Sequence, residues 1–187
     1  MLTFRATFHA PFAVSTGTAQ GGIDATVDPD ELLPASAVKG RFRAELVEQL
    51  GIPETRVAEL FGDAQHPSRW RWTCPLWDSA ATALTSRVKI GEQGVAERGF
   101  LAIREVVWAS AATWQAWPTV RAVPAEVWRE DELLLRVAAR SITSLGSDRL
   151  RGQGRVRIVD IADDGSEREW TDADTRAVLA LRGGDSS

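Results

Sequence analysis

The sequence predicts an α+β domain of the ferredoxin-like, RRM-like class, with the element order strand, helix, strand, strand, helix, strand. Three observations predict it: a two-residue hydrophobic period at the N-terminus, helical periods in two well-separated segments, and β-branched and aromatic residues in the segments between and after them. With 187 residues, 44% hydrophobic and 26% charged, the chain can form one globular core. This fold class serves many functions, so it decides none of them alone.

The first strand is expected at residues 2–9, where Leu2, Phe4 and Phe8 alternate with polar residues. Residues 15–34 follow and are dense in Gly, Thr, Asp and Pro without either period. They predict a long loop, and long loops in small domains are often functional.

Helices are expected at three places. In the first, apolar residues recur every four positions from 38 to 50, Ser36 can cap the start, and Gly51 can end it. A short helix fits residues 54–61, and a longer one fits residues 125–142.

The remaining strands are expected on both sides of the long helix. Residues 69–77, 84–90 and 99–108 are rich in aromatic and β-branched side chains and predict two or three strands. A last strand is expected at residues 155–161. Together these elements complete the ferredoxin-like order, with a glycine-rich loop before the last strand.

The chain divides into a ferredoxin-like domain, residues 1–161, and an acidic C-terminal extension, residues 162–187. A short helix is expected in the extension, because Thr171 and Asp174 have capping-box spacing. Of the net charge of −4, residues 160–187 contribute −5, from eight acids and three arginines, so the body carries +1.

Composition also narrows the cellular setting. No run of about 18 apolar residues occurs, and the N-terminus does not have the pattern of a secretory signal, so we expect a soluble cytoplasmic protein without membrane contact. Cys74 is the single cysteine, which excludes an intrachain disulfide and a cysteine-based zinc site.

Clustered positive charge marks the first candidate site for a polyanion. Between positions 136 and 157 the only acid is Asp148, against six arginines: Arg136, Arg140, Arg149, Arg151, Arg155 and Arg157. Part of this stretch, residues 145–154, is a glycine-rich loop whose backbone can turn tightly and approach a ligand closely. Its glycines are Gly146, Gly152 and Gly154. The alternative is a plain helix-to-strand connection with solvated arginines.

Two further candidates lie at and before the first helix. Lys39 and Arg43 are four residues apart, on one side of the helix, and could bind phosphates. Asp24 ends the sequence GGID in the long loop, where a carboxylate could help hold a divalent metal or act on a proton near a phosphodiester. The alternatives are a solvated basic helix face and a turn residue.

In their joint order these segments resemble the RAMP superfamily, specifically the repeated backbone subunit of Csm-type type III CRISPR effector complexes. The resemblance spans about residues 3–158 and includes a region like the family's hairpin at residues 86–107. The matching motifs are Thr16-Gly17, GGID at 21–24, PASAVKGRFR at 34–43, LFG at 60–62 and the glycine-rich loop at 145–154.

The resemblance implies an RNA-binding subunit that coats a guide RNA as repeated copies. Asp24 would cleave complementary target RNA, as a metal-dependent endoribonuclease, with Mg²⁺ held jointly with RNA phosphate. The implied partners are guide RNA, target RNA, copies of the same chain and other type III effector subunits, in prokaryotic antiviral defence. The implied guide-RNA contacts are Ser36, Lys39, Arg43, Gly146, Arg149, Arg151, Gly152, Gly154 and Arg155.

Four alternatives stay open at this point: a non-catalytic RNA-binding scaffold, an end-capping subunit present once per complex, a guide-processing nuclease, and a ferredoxin-like protein unrelated to RNA. The guide-processing nuclease is disfavoured, because the chain has no tyrosine and only two histidines for a metal-free acid-base pair.

Overall fold

The structure is a computed structural model and describes residues 1–119 and 123–182. In chain order its elements are β1 (Leu2–Phe8), α1 (Ala35–Ala44), a π-helical turn (Glu45–Gln49), α2 (Glu54–Phe61), β2 (Trp70–Trp72), β3 (Leu76–Trp77), β4 (Ala80–Ile90), β5 (Ala96–Ala109), β6 (Ala111–Pro118), α3 (Ala125–Ser141), a 3₁₀ turn (Arg149–Arg151), β7 (Val156–Ile161) and α4 (Asp172–Arg182).

The central sheet has the ferredoxin-like topology. Its strands lie in the order β2-β6-β1-β7, all pairs are antiparallel, and β3 also pairs with β6. Strand β1 therefore lies between the last strand of the sequence and the strand that precedes α3. The predicted fold class is confirmed.

The strand count between α2 and α3 differs from the expectation of two or three. Four strands lie between residues 70 and 109, and a fifth, β6, follows after a single residue, Ser110. Strand β6 was missed because alanine has a low strand propensity, although Ala112, Trp114 and Ala116 alternate and are buried. The small side chains of Ala112 and Ala116 leave room for the Trp114 ring between them.

One face of the sheet packs against the helices through an aromatic cluster. Phe4 lies edge-on to Phe42 of α1, with ring centroids 5.3 Å apart. Phe42 also meets Trp72 edge-on at 4.9 Å. Because edge-to-face rings add attraction beyond burial itself, this cluster fixes the position of α1 on β1 and β2.

The start of α1 differs from the expected cap. Pro34 occupies the N-cap position without a side-chain hydrogen bond, and Ser36 lies in the first turn with an exposed side chain. The expectation that Ser36 caps the helix is therefore wrong, because the rigid Pro34 backbone already sets the entry to the helix. The expected end is confirmed: the chain leaves the helical segment at Gly51, where φ is +63°.

Strands β4 and β5 form a separate antiparallel hairpin, inserted in the sequence between β3 and β6 of the central sheet. It contains the predicted hairpin region. The outer edge of β5 is paired as well, because Phe12 bridges Val107 and Ala25 bridges Arg104. The long N-terminal loop is thereby fixed to the hairpin.

The C-terminal extension packs back onto the domain. Its predicted capping box is present: Thr171 N–H donates to Asp174 Oδ2 at 2.9 Å, and Asp174 N–H donates to Thr171 Oγ1 at 3.2 Å. Helix α4 buries Val178, and Trp170 lies under the guanidinium of Arg136, 5.4 Å from its ring centroid.

Three of the six clustered arginines form ion pairs with acids of residues 160–187. Arg136 and Arg140 bind the buried Asp160 at 2.7 and 3.0 Å, and Arg157 binds Glu167 at 2.6 Å. Treating all six as one polyanion site is therefore wrong, because the acidic extension folds onto part of the basic stretch.

No helix within the described ranges is both long and apolar enough to cross a membrane.

Glu167 is expected to make the unfolding temperature depend on pH. The hydrogen bond from Arg157 holds the pKa of Glu167 below its ordinary value of 4.5. Ionised Glu167 therefore stabilises the folded chain above pH 4.5, and this contribution is lost as the pH falls through the lower folded-state value. Glu167→Gln should lower the unfolding temperature at neutral pH by about 2 °C, since the pair is half-exposed.

Thermal unfolding of both proteins, followed by circular dichroism from neutral pH down to pH 3, checks this expectation. The difference between the two proteins should shrink toward the acidic end. A difference that stays constant with pH would show that the ionised carboxylate is not responsible.

Candidate nucleic-acid interface

The glycine-rich loop, residues 145–154, is closed by backbone hydrogen bonds. Gly154 N–H donates to the Pro11 carbonyl at 2.8 Å, and Leu145 N–H donates to the Gly154 carbonyl at 2.9 Å. A Cβ on Gly154 would lie 1.8 Å from the Leu145 carbonyl oxygen, and one on Gly146 would lie 2.6 Å from that of Ala13. These two glycines are required by the packing of the protein itself, and their contact with RNA stays a prediction.

The outer part of the loop is open. Gly152 has φ +80° and is exposed, and a Cβ added to it would meet no atom within 4 Å. The side chains of Arg149, Arg151 and Arg155 around it are exposed. This part of the loop offers positive charge and a bare backbone to a ligand.

A groove of about 510 Å³ separates the glycine-rich loop from α1. The small residues Ala37, Gly40 and Ala44 line it from the helix together with Arg41, and Gly146 and Arg149 line it from the loop. Arg41 Nε donates to the Ser144 carbonyl at 3.4 Å. A phosphate backbone can approach both elements closely at the three small positions, which carry little or no side chain.

The predicted row Ser36, Lys39 and Arg43 lies on a neighbouring side of α1, away from the loop. Ser36 and Lys39 line a second pocket of about 510 Å³ with Trp72. Arg43 donates to the Gly62 carbonyl at 3.3 Å. Partial burial and then the charge of Arg43 hold the pKa of Lys39 below its ordinary value. A bound phosphate would relieve the repulsion between the two cations.

Asp24 lies against the hairpin. Its N–H donates to the Ile103 carbonyl at 2.8 Å, and its Oδ2 accepts from the Ile103 N–H at 2.7 Å. The residue is exposed, and within the described residues Oδ1 has no hydrogen bond. One carboxylate oxygen therefore fixes the loop on β5, and the other is open to a ligand.

The surroundings of Asp24 fit a Mg²⁺ ion that has few ligands from the protein. In the described parts of the chain no three His, Cys, Asp or Glu residues are grouped so that they could hold a metal ion. A single open carboxylate oxygen matches a Mg²⁺ that takes its other ligands from water and RNA phosphate, which is the common arrangement for this ion. It does not match an all-protein metal cage.

Asp148 joins the glycine-rich loop to the hairpin. Its Oδ1 lies 3.0 Å from Arg87 Nη1, and its Oδ2 binds Arg104 Nη1. Burial alone would raise the pKa of Asp148, but hydrogen bonds from Arg87 and Arg104 more than offset this and lower it. The carboxylate is therefore ionised at neutral pH.

Sequence reasoning missed Arg87 and Arg104 as site residues. They lie on opposite strands of the hairpin, two positions apart in register, since Arg87 faces Ala102 and Thr85 faces Arg104. That register is not readable from the sequence. The signal that could have found them is basic residues on both predicted strands of the hairpin, since Arg87 and Lys89 lie two apart on one strand and Arg104 lies on the other.

The structure thus brings several predicted elements together. Asp24 is bonded to Ile103, the next residue Arg104 is bonded to Asp148, and Asp148 belongs to the glycine-rich loop. The groove beside α1 borders the same loop. The row Ser36, Lys39 and Arg43 lies on a different side of α1 from this groove.

These features define a ferredoxin-like domain with an inserted hairpin, a glycine-rich loop and a carboxylate at the hairpin's edge. No protein-family model and no curated protein matches the sequence. Two of the solved structures that share this fold match the chain at low sequence identity. A chain of a type III-B Cmr-beta cryo-EM structure bound to cognate target RNA matches with TM-score 0.58 and 16% identity, over 84% of this chain and 58% of that chain.

A chain of the type III-B Cmr-beta cryo-EM structure in the apo state matches with TM-score 0.65 and 12% identity, over 87% of this chain and 97% of that chain. The present chain therefore spans a little over half of the first match and nearly all of the second. At these identities the likeness concerns the fold.

Proposed function

We propose that this chain is an RNA-binding backbone subunit of a type III CRISPR effector complex, acting in the cytoplasm of a prokaryote in antiviral defence. One observation carries the proposal: Asp24, the hairpin and the glycine-rich loop form one bonded surface. This surface lies on a fold shared with chains of type III-B complexes, one of them bound to cognate target RNA.

Guide-RNA binding would use the groove between α1 and the glycine-rich loop. Exposed Arg149, Arg151 and Arg155, together with Ser36, Lys39 and Arg43 across α1, suit contacts to phosphates. Contacts to the RNA backbone do not depend on the base sequence. A subunit that coats guides of different sequence needs contacts of this kind, because base pairing selects the target. Copies of the chain would repeat this groove along the guide.

Target-RNA cleavage would use Asp24 at the edge of the hairpin. A nucleotide displaced by the hairpin would present its 2′-hydroxyl in line with the adjacent phosphorus. The hydroxyl proton would pass to water as the new O2′–P bond forms and the P–O5′ bond breaks, and the 5′-oxygen would leave with a proton from water. Asp24 and RNA phosphate would hold Mg²⁺, which would neutralise the negative charge that develops on the phosphoryl oxygens.

Replacement of Asp24 is expected to slow target cleavage strongly. In the complex purified with its partner subunits and guide RNA, Asp24→Asn and Asp24→Ala should both slow Mg²⁺-dependent cleavage of labelled complementary RNA by roughly 100-fold or more. Asn can keep the hydrogen bond from the Ile103 N–H. Asp24→Asn therefore removes the negative charge while it leaves the local backbone contact in place.

The matched control is Asp28→Asn, which removes an exposed carboxylate from the same loop and should cleave at the wild-type rate. Excess EDTA should stop cleavage by the unmutated complex. Wild-type cleavage by Asp24→Asn would remove the catalytic role of Asp24.

A non-catalytic scaffold is the second candidate, and the bond between Asp24 Oδ2 and Ile103 favours it, because that bond alone explains an aspartate at this position. It predicts full assembly with guide RNA and no cleavage by the unmutated complex in Mg²⁺. Native mass spectrometry distinguishes a third arrangement, an end-capping subunit, by a single copy per complex.

A further inference from the structure

The carboxylate of Asp148 is bound in the way that arginine pairs bind a phosphate. Its two oxygens are shared between two guanidinium groups, Oδ1 with Arg87 and Oδ2 with Arg104. Arg104 Nη2 also donates to Ser147 Oγ at 3.4 Å. Because each guanidinium has five N–H donors, one carboxylate and one hydroxyl leave most of these donors for other acceptors.

The position of Asp148 has a backbone cost. Asp148 has φ +56°, the single positive value among the described non-glycine residues. Aspartate tolerates this left-handed conformation better than most residues, at a cost on the order of 1 kcal/mol. An ion pair that depends on such a conformation is easier to replace than one on a relaxed backbone.

The pair of arginines lines an open groove between the hairpin and the glycine-rich loop. The groove has a volume of about 570 Å³ and is also lined by Lys89 and Arg151. Arg151 Nη1 lies 3.9 Å from Asp148, and its side chain is 70% exposed. Lys89 is paired with Glu97 at 2.8 Å, so Arg87, Arg104 and Arg151 are the cations that face Asp148 in this groove.

We propose that Arg87 and Arg104 form a binding site for an RNA phosphate, and that Asp148 occupies this site until a phosphate replaces it. The site rests on the proposed RNA-binding function and extends it from α1 and the loop to two arginines of the hairpin. The two charged oxygens of an RNA phosphodiester can pair with the two guanidinium groups as the carboxylate oxygens do. Asp148 then acts as an internal competitor that weakens binding of unspecific RNA.

Binding of a short labelled oligouridylate, followed by fluorescence anisotropy over a range of salt concentrations, tests the proposal on the full chain. Asp148→Asn keeps the size and tolerates the left-handed backbone, while removing the competing charge. It should tighten binding about threefold to tenfold and steepen the dependence of log Kd on log salt by roughly one phosphate contact.

Arg87→Gln with Arg104→Gln should weaken binding by the unmutated chain about fivefold to tenfold and cancel the gain from Asp148→Asn. This double variant keeps the test valid if Asp148→Asn does not fold. The matched control, Arg129→Gln with Arg176→Gln, makes the same charge change at two exposed helix positions and should change affinity less than twofold.

Two results would overturn the proposal. If the unmutated chain binds RNA and Asp148→Asn binds it equally or more weakly, Asp148 only fixes the hairpin, and the proposed function is untouched. If neither protein binds RNA at low salt, this site and the proposed function are both lost.

Discussion

Gly154→Ala is expected to destabilise the protein by about 2–4 kcal/mol. The added methyl group would lie 1.8 Å from the Leu145 carbonyl oxygen, in a loop closed by backbone hydrogen bonds on both sides. Alanine also disfavours the φ of +68° at this position. The backbone must move, so the bonds to Pro11 and Leu145 weaken together. Urea unfolding followed by tryptophan fluorescence measures the loss.

Gly152→Ala is the matched control for this substitution. It lies in the same loop at φ +80°, with nothing within 4 Å of the added methyl group. It should therefore cost only about 1 kcal/mol, for the backbone conformation alone. Equal losses for the two substitutions would show that the close approach at Gly154 is relieved without cost.

Asp160→Asn is expected to cost about 3–5 kcal/mol, the range for breaking a buried ion pair. Asp160 is fully buried and accepts from Arg136 Nε at 2.7 Å and from Arg140 Nη2 at 3.0 Å. Asparagine keeps the shape but offers one acceptor, and its NH₂ group would face a guanidinium. The two arginines would then share an incomplete set of partners at the junction of α3, β7 and the extension.

Urea unfolding again gives the free energy, and limited proteolysis reports whether the extension detaches. Asp163→Asn removes an exposed carboxylate three residues away and should change stability by less than about 0.5 kcal/mol. A loss below about 1 kcal/mol for Asp160→Asn would show that the two arginines find equivalent partners in the extension or in water.

The fold was predictable wherever a local period reflects a buried face. Strand β1 alternates, α1 repeats every four residues, and the capping box of α4 is a local pattern. Strand β6 was not predictable in this way, because Ala112 and Ala116 are buried for their small size beside Trp114 and carry little strand propensity.

The candidate site was predictable by residue type and less so by geometry. Asp24 and the outer arginines of the glycine-rich loop lie on exposed surface, as a binding role requires. The pairing of Arg87 and Arg104 with Asp148 depends on hairpin register and on tertiary contact between segments far apart in sequence. Likewise, the pairing of Arg136 and Arg140 with Asp160 could not be read from their spacing.

The junction between β5 and β6 connects the hairpin directly to the central sheet. Ser110 is the one residue between them, and it is held by hydrogen bonds from its N–H to the Ser79 carbonyl at 3.2 Å and from the Phe8 N–H to its own carbonyl at 3.0 Å. Strand β5 has 14 residues and pairs with β4 along the hairpin, with one shift of register between Val88 and Ile90 near the tip. A force on the hairpin tip is therefore carried through Ser110 into β6, the strand bonded to β1, and is not absorbed by a flexible linker.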